Sequence, residues 1–198
     1  TSVKLAPPQN EPRVLSRICL YSVSRLYVNK YLGVVMMDRK IRKNDKFVGF
    51  LGCEFSNFYK CQFTINGVTF NCVEQAFMYC KAKLFGDHEI ADEILKSVNP
   101  AQCKKLGRKV KGFDDEIWAN KRELYMEKLL FAKFNSNPQL KKMLLDTGDR
   151  IIVECAPFDK IWGIGKDVDA FFESGCKGIN ENNNKLGNAL MKVREQLK

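Results

Sequence analysis

The chain has 198 residues, 45% of them apolar, and a formal net charge of +10, which is enough to bury one well-formed core. No apolar run approaches the roughly 18 residues that a membrane-spanning helix requires, so no membrane association is expected. The eight cysteines are scattered at 19, 53, 61, 72, 80, 103, 155 and 176, with no close C-x-x-C pair and only one histidine in the chain. They read as reduced core thiols of a cytoplasmic or nuclear protein, and neither a zinc site nor any other metal is expected.

Charge is uneven. Residues 1–46 hold ten Lys and Arg against three Asp and Glu, whereas residues 47–198 hold 23 against 20. The first 46 residues therefore read as a basic extension, able to attract phosphate-bearing partners including nucleic acid, or simply solvated. The lead-in carries Pro7-Pro8 and Pro12. Residues 14–37 are densely apolar without a clear helical or strand period, and Asp38 to Lys46 reads as a solvated connection.

From Phe47 the pattern sharpens. Phe47-Val48-Gly49-Phe50 is a core strand leading into the loop Glu54-Phe55-Ser56-Asn57-Phe58-Tyr59. Asn66-Gly67 between two alternating runs predicts a hairpin of 61–65 with 68–72, because a type I′ turn needs positive φ at both central residues. A helix follows, with Asn71 at the N-cap position and Glu74 three residues on. Its apolar face is Val73, Ala76, Phe77, Cys80 and Leu84. Glu74 and Lys81, about two turns apart, share a face beside it. On this pattern alone Glu74 is either a capping acid that favours the helix dipole or a functional carboxylate.

Gly86-Asp87 stops that helix and opens the next, and Asn99-Pro100 opens a third. His88 lies among acids on an exposed first turn, so schemes that need a histidine base have little support. A helix of about 115 to 135 sets Trp118, Arg122, Tyr125 and Leu129 along one side and Ile117, Leu124 and Phe131 along another. Trp118 and Arg122 at i, i+4 could offer an indole and a guanidinium together. Asn137-Pro138 caps a further helix. Ile151 to Cys155 is a short β-branched strand, followed by a loop with Asp159, Trp162 and Gly163, a frequent setting for chemistry. A final helix of about 184 to 197 is capped by Asn184.

The motifs Glu54-Phe55-Ser56-Asn57-Phe58-Tyr59, the Asn66-Gly67 turn and Val73-Glu74-Gln75-Ala76-Phe77 with Lys81 resemble the opening motifs of the NADAR family, the YbiA-like N-glycosidases. The later segments continue the resemblance in order: Leu106-Gly107-Arg108, Trp118 with Met126, Lys133-Phe134, Thr147-Gly148-Asp149, Val153-Glu154, Asp159 with Trp162-Gly163, and Leu186-Gly187 through Arg194. It covers roughly 47–198 and implies an α+β single domain, predominantly helical, with a short hairpin and a few short strands. It departs at Gln75, where the family often has histidine, and at Asn182-Asn183-Asn184, where Gly-Lys-Asn is common.

What the resemblance implies is hydrolysis of an N-glycosidic bond to ribose, with no cofactor. The substrate would be a phosphorylated ribosyl or ADP-ribosyl compound, either ADP-ribosyl-guanine or a ribosylamino-pyrimidine phosphate of riboflavin synthesis. Glu74, Asp159 and Lys81 are the implied catalytic residues, with Glu154 a candidate second carboxylate. Trp118 and Trp162 are candidates for base stacking, Ser56, Asn57 and Phe58 for the pocket wall, Gly163 for close approach and Arg122 for phosphate. The alternatives are an ADP-ribose or nucleotide-binding module without turnover, favoured if Glu74 is buried and engaged as a cap, and a nucleic-acid adaptor acting through residues 1–46.

Overall fold

The computed structural model describes residues 39–198. The unassigned apolar stretch at 14–37 and most of the basic extension therefore lie outside the described residues. A three-stranded sheet consists of β1 (Lys40–Lys43), β2 (Phe47–Leu51) and β5 (Ile151–Glu154), in the order β1-β2-β5. The hairpin of β3 (Phe63–Ile65) and β4 (Val68–Phe70) stands apart from it. Seven helices account for most of the rest: α1 (Val73–Leu84), α2 (His88–Lys96), α3 (Pro100–Gly107), α4 (Asp115–Asn135), α5 (Pro138–Leu145), α6 (Val168–Glu173) and α7 (Lys185–Gln196). The architecture is the expected α+β domain. No helix among the described residues is long and apolar enough to cross a membrane.

β2 and β5 run parallel, with Phe47 opposite Ile151 and Phe50 opposite Glu154. A parallel pair needs a long crossover, and here everything from the hairpin to α5 lies between the two strands. Both strands consequently end at the same edge of the sheet. The loop after β2 and the loop after β5 meet there, a recurrent place for ligand sites in open sheets with parallel strands.

The main core joins Phe50, Phe55, Phe134, Leu129, Leu130, Met126 and Leu190, with Phe55 placed edge-on to Phe50 at 5.6 Å between ring centres. A smaller core of Val153, Cys155, Ile164, Val168 and Phe171 sits under α6.

Several local expectations change. β1 falls within Asp38 to Lys46, read as a connection. It pairs antiparallel with β2 and exposes most of its charged side chains, as edge strands do. Lys40 pairs with Asp169 of α6, and Arg42 lies 4.8 Å over the Phe172 ring. The N-cap of α1 is Cys72 rather than Asn71: the Cys72 thiol accepts from Gln75 N–H, and Gln75 Oε1 accepts from Asn71 N–H at 2.8 Å. Asn137 does not cap α5; its amide donates to Lys133 O and Gln62 O. On α4 the buried side is Trp118, Met126, Leu129, Leu130, Lys133 and Phe134, leaving Ile117 and Leu124 about half exposed. The hairpin turn holds, with φ of 50° at Asn66 and 76° at Gly67.

Candidate active site

At the sheet edge where β2 and β5 end, a narrow cleft of about 110 Å³ is lined by Ser56, Asn57, Phe58, Glu74, Phe77, Met78, Lys104, Glu154, Asp159 and Trp162. Three parts of the chain converge on it: the loop after β2, the start of α1 with the neighbouring α3, and β5 with the loop that follows.

The first wall is braced from below. Lys133 of α4 is fully buried, and its ammonium donates to Glu54 O at 2.7 Å and Ser56 O at 3.0 Å. It also lies 5.5 Å from the Tyr59 ring centre. Burial lowers its pKa to about 8. Ser56 Oγ accepts from Phe58 N–H, and Asn57 O accepts from Glu74 N–H at 3.0 Å, so this loop is fastened to the first turn of α1. Asn57 is buried, and its side-chain oxygen has no hydrogen-bond partner among the described residues. A buried amide left in that state is costly unless a ligand completes it.

Glu74 occupies the second position of α1 and is 5% exposed. Cys72 and Gln75 do the capping, so its carboxylate is not used by the helix end. No donor among the described residues reaches it. Burial raises its pKa to about 7, Lys104 opposes that rise, Asp159 adds to it, and Arg108 opposes it more weakly.

The third wall begins at Glu154, the last residue of β5. Its pKa is raised to about 8, first by burial and then by Asp159, with Lys104 opposing and Glu74 adding. Asn184 fixes the strand at this point. Its side-chain oxygen accepts from Glu154 N–H at 3.0 Å, and its amide donates to Ile152 O at 2.9 Å. Asn184 was expected to cap α7; it stands at the cap position in a left-handed conformation and makes no such bond, because both ends of its amide are committed to β5. Gly187 is required alongside: a Cβ there would meet Ile152 O at 2.1 Å.

Asp159 shapes the loop as much as it faces the cleft. Its Oδ1 accepts from Trp162 N–H at 2.8 Å and Ile161 N–H at 3.0 Å. Gly163 lets the loop fold back onto β5, since a Cβ there would lie 2.8 Å from Glu154 O. Phe158, beside Asp159, is 91% exposed.

The fold thus brings Ser56, Asn57, Phe58, Glu74, Glu154, Asp159 and Trp162 together, with Gly163 behind Glu154. It does not bring Lys81, Trp118 or Arg122 to the lining. Lys81 donates to Gly107 O at 3.0 Å and lies 3.8 Å over the Phe113 ring centre. Trp118 packs behind the cleft against Phe77, at 4.9 Å between ring centres, while Trp162 meets the same Phe77 edge-on at 5.3 Å. Arg122 has a buried Nε without a partner among the described residues. Lys104 was not anticipated, because only the packing of α3 on α1 takes it to the cleft. Among the described residues, no three His, Cys, Asp or Glu side chains are grouped as a metal would need.

A parallel-strand edge, two carboxyls without a hydrogen-bond donor among the described residues and an aromatic wall define a small hydrolase-like cleft. The chain belongs to the NADAR family: the model of the NADAR domain matches residues 48–198. It is 38% identical to Protein irg-1 of Caenorhabditis elegans over 163 residues, covering 73% of this chain and 76% of that one. It is 36% identical to N-glycosidase R617 of Acanthamoeba polyphaga mimivirus over 171 residues, covering 78% and 98%. The NMR structure of the Escherichia coli protein YbiA superposes with a TM-score of 0.63 at 29% identity, covering 79% of this chain and 87% of YbiA.

Proposed function

We propose that this protein is an N-glycosidase that hydrolyses the bond between a base nitrogen and the anomeric carbon of a ribosyl group. The observation that carries this reading is the pair of carboxyls, Glu74 and Glu154, lining one cleft, both with pKa values raised by burial and neither met by a donor among the described residues. Membership of a family whose named relatives include N-glycosidases supports it. A pair of titratable groups with displaced pKa values is how acid and base roles are divided at neutral pH.

In this reading Glu154, the more strongly raised of the two, carries a proton at neutral pH and delivers it to the departing base nitrogen as the C1′–N bond breaks. Positive charge then develops on the sugar, and the Glu74 carboxylate stabilises it. A water adds to C1′ and gives its proton to Glu74, which completes hydrolysis. The Asn57 side-chain oxygen, buried and partnerless, accepts from a ribose hydroxyl, and Trp162 provides the face against which the base stacks. Asp159 holds the Trp162 loop and keeps negative charge next to both carboxyls. A cleft of about 110 Å³ suits the sugar and the reacting bond rather than a whole dinucleotide.

The substrate is a ribosyl phosphate or ADP-ribosyl compound, with ADP-ribosyl-guanine and ribosylamino-pyrimidine phosphates as the two classes to compare. The test is release of free base from ADP-ribosylated guanosine and from a ribosylamino-pyrimidine phosphate, by wild type and by Glu74→Gln. Release by wild type alone is expected. Saturable binding by both proteins with no release from either substrate would replace the enzyme with a nucleotide-binding module. The cap that would have favoured that module is made by Cys72 and Gln75 instead of Glu74.

A further inference from the structure

The loop after β5 displays one large side chain that the fold does not use. Phe158 is 91% exposed, the most of any large apolar residue among those described. Glu154 and Asp159, which flank it in the chain, both line the cleft, as does Trp162. Successive Cα atoms are about 3.8 Å apart, so Phe158, next to Asp159, stands at the rim. Single exposed apolar residues are ordinary on protein surfaces, but this one is held in place.

Asp159 N–H donates to Ala156 O at 3.2 Å, which closes a turn with Pro157 and Phe158 at its central positions. Ile164 N–H donates to Glu154 O at 3.0 Å and Gly165 N–H to Asp159 O at 3.0 Å. On the other side the N–H groups of Lys185 and Leu186 donate to Ile161 O and Trp162 O, each at 3.1 Å. The loop is therefore fastened both to β5 and to the start of α7. Lys160, also exposed, rests its stem on Gly165, where a Cβ would fall 2.9 Å from Lys160 Cγ. A free aromatic face and a cation on one fixed loop suit a nucleotide, whose base stacks and whose phosphate meets the charge. The cleft of about 110 Å³ holds the sugar and the reacting bond, so any further nucleotide of the substrate has to lie across the rim.

We propose that Phe158 is a stacking platform for a second nucleotide, one that lies outside the cleft while the reacting ribose sits at Glu74 and Glu154, with Lys160 on the same loop for its phosphate. This rests on the N-ribosyl hydrolase reading. Two sources share the chemistry: the adenylate half of an ADP-ribosyl group, and a nucleotide flanking the reacting one in a single strand. A ribosylamino-pyrimidine phosphate has no second base for Phe158 to meet, so the platform separates the two substrate classes. Because the ring is almost fully exposed, its removal is expected to leave the fold and Tm unchanged.

The test titrates ADP-ribose, ribose 5-phosphate and a short single-stranded oligonucleotide into wild type, Phe158→Ala, Phe158→Leu and Phe158→Trp by calorimetry. Leu124→Ala, which removes an exposed apolar side chain outside the cleft lining, is the control. Moderate salt keeps oligonucleotide binding by the basic extension weak. Loss of one base–aromatic stack weakens binding about tenfold. Phe158→Ala and Phe158→Leu should lose that for ADP-ribose if the second nucleotide is the adenylate, or for the oligonucleotide if it flanks the reacting one. Phe158→Trp and the control should bind as wild type does, and ribose 5-phosphate should not distinguish the variants. Unchanged affinity for both nucleotide probes in Phe158→Ala, full retention in Phe158→Leu, or no binding of either by wild type overturns the platform. So does an equal loss for ribose 5-phosphate, which has no base. Because the probes contain no bond that the proposed reaction breaks, the two readings fail separately: base release without a stacking defect removes the platform, and a stacking defect without base release removes the hydrolase.

Discussion

Two sets of buried polar groups in this molecule have opposite fates. Lys133 and Arg194 are as buried as any core residue, yet their donors are answered. Lys133 holds two carbonyls of the loop after β2, and Arg194 donates to Thr147 Oγ1 at 2.9 Å and Arg150 O at 2.8 Å. The Asn57 side-chain oxygen is comparably buried and has no partner among the described residues, and at the same cleft Glu74 and Glu154 receive no side-chain hydrogen bond from a described donor. Because an unpartnered buried polar group is costly, answered groups act as struts, and an unanswered one inside a cleft, such as the Asn57 oxygen, marks where a ligand is expected. Arg122, whose buried Nε also has no partner among the described residues, lies outside the cleft lining and is the exception to that division.

The largest effect that tests this division is on turnover. Glu74→Gln keeps the shape and removes the charge, so base release should fall by roughly 10²- to 10⁴-fold while Tm stays level or rises. A fall in Tm with activity retained would place Glu74 among the struts. Glu154→Gln should also slow turnover, and it should remove the basic limb of the pH–rate profile near pH 8, where wild type loses the proton on its acid. A profile unchanged by that substitution would take Glu154 out of proton transfer.

Struts should fail differently. Lys133→Met leaves Glu54 O and Ser56 O without their donor, at about 1–3 kcal/mol for each unanswered group, partly offset by removing a buried charge. Thermal melts should show a clear loss of stability, and KM should rise more than kcat falls because the pocket wall loosens. Loss of kcat alone, at unchanged Tm, would make Lys133 a reacting group. For the carboxyls the linkage sign is opposite to that of an ion-paired acid. Glu74 has an ordinary value of 4.5 and a folded one of about 7, so the folded state binds more protons between those values and stability falls as pH rises through that window. The contribution is about 3 kcal/mol at most. Melts from pH 5 to 8 should show the decline, and Glu74→Gln should remove only its share of it, the remainder coming from Glu154, whose folded value of about 8 gives the same sign over the same window.

How much of this was legible depends on the range of the interactions involved. The Asn66-Gly67 turn, the Asn99-Pro100 helix start and the strand at Ile151 are local and were readable. The cap of α1 moved one residue because cysteine is a weak capping residue that sequence patterns do not flag. β1 was hidden by its own charges, which suit an edge strand. Among candidate site residues, Glu74, Glu154 and Asp159 stood out through strand-end and helix-start positions plus ordered motifs. Lys104 and Asn184 depend on Gly107 meeting Met78 and on Gly187 meeting Ile152, and such approaches between distant segments leave no local pattern.

Lys81 gives the smallest and most discriminating test. The family resemblance makes it a catalytic candidate, yet its ammonium lies on Gly107 O and the Phe113 ring, where burial lowers its pKa and Asp115 opposes the change. A residue that ties the end of α3 to α1 is expected to act on substrate through the placement of Lys104 at the cleft, not on the reacting bond. Lys81→Met should therefore raise KM for a phosphorylated substrate several-fold, an effect of about 1 kcal/mol, typical of a lost neutral-acceptor hydrogen bond, with kcat nearly intact. Lys81→Arg should restore part of it. A loss in kcat comparable to that of Glu74→Gln would instead move Lys81 into the group of reacting side chains, and would require its ammonium to turn toward the cleft when substrate is bound.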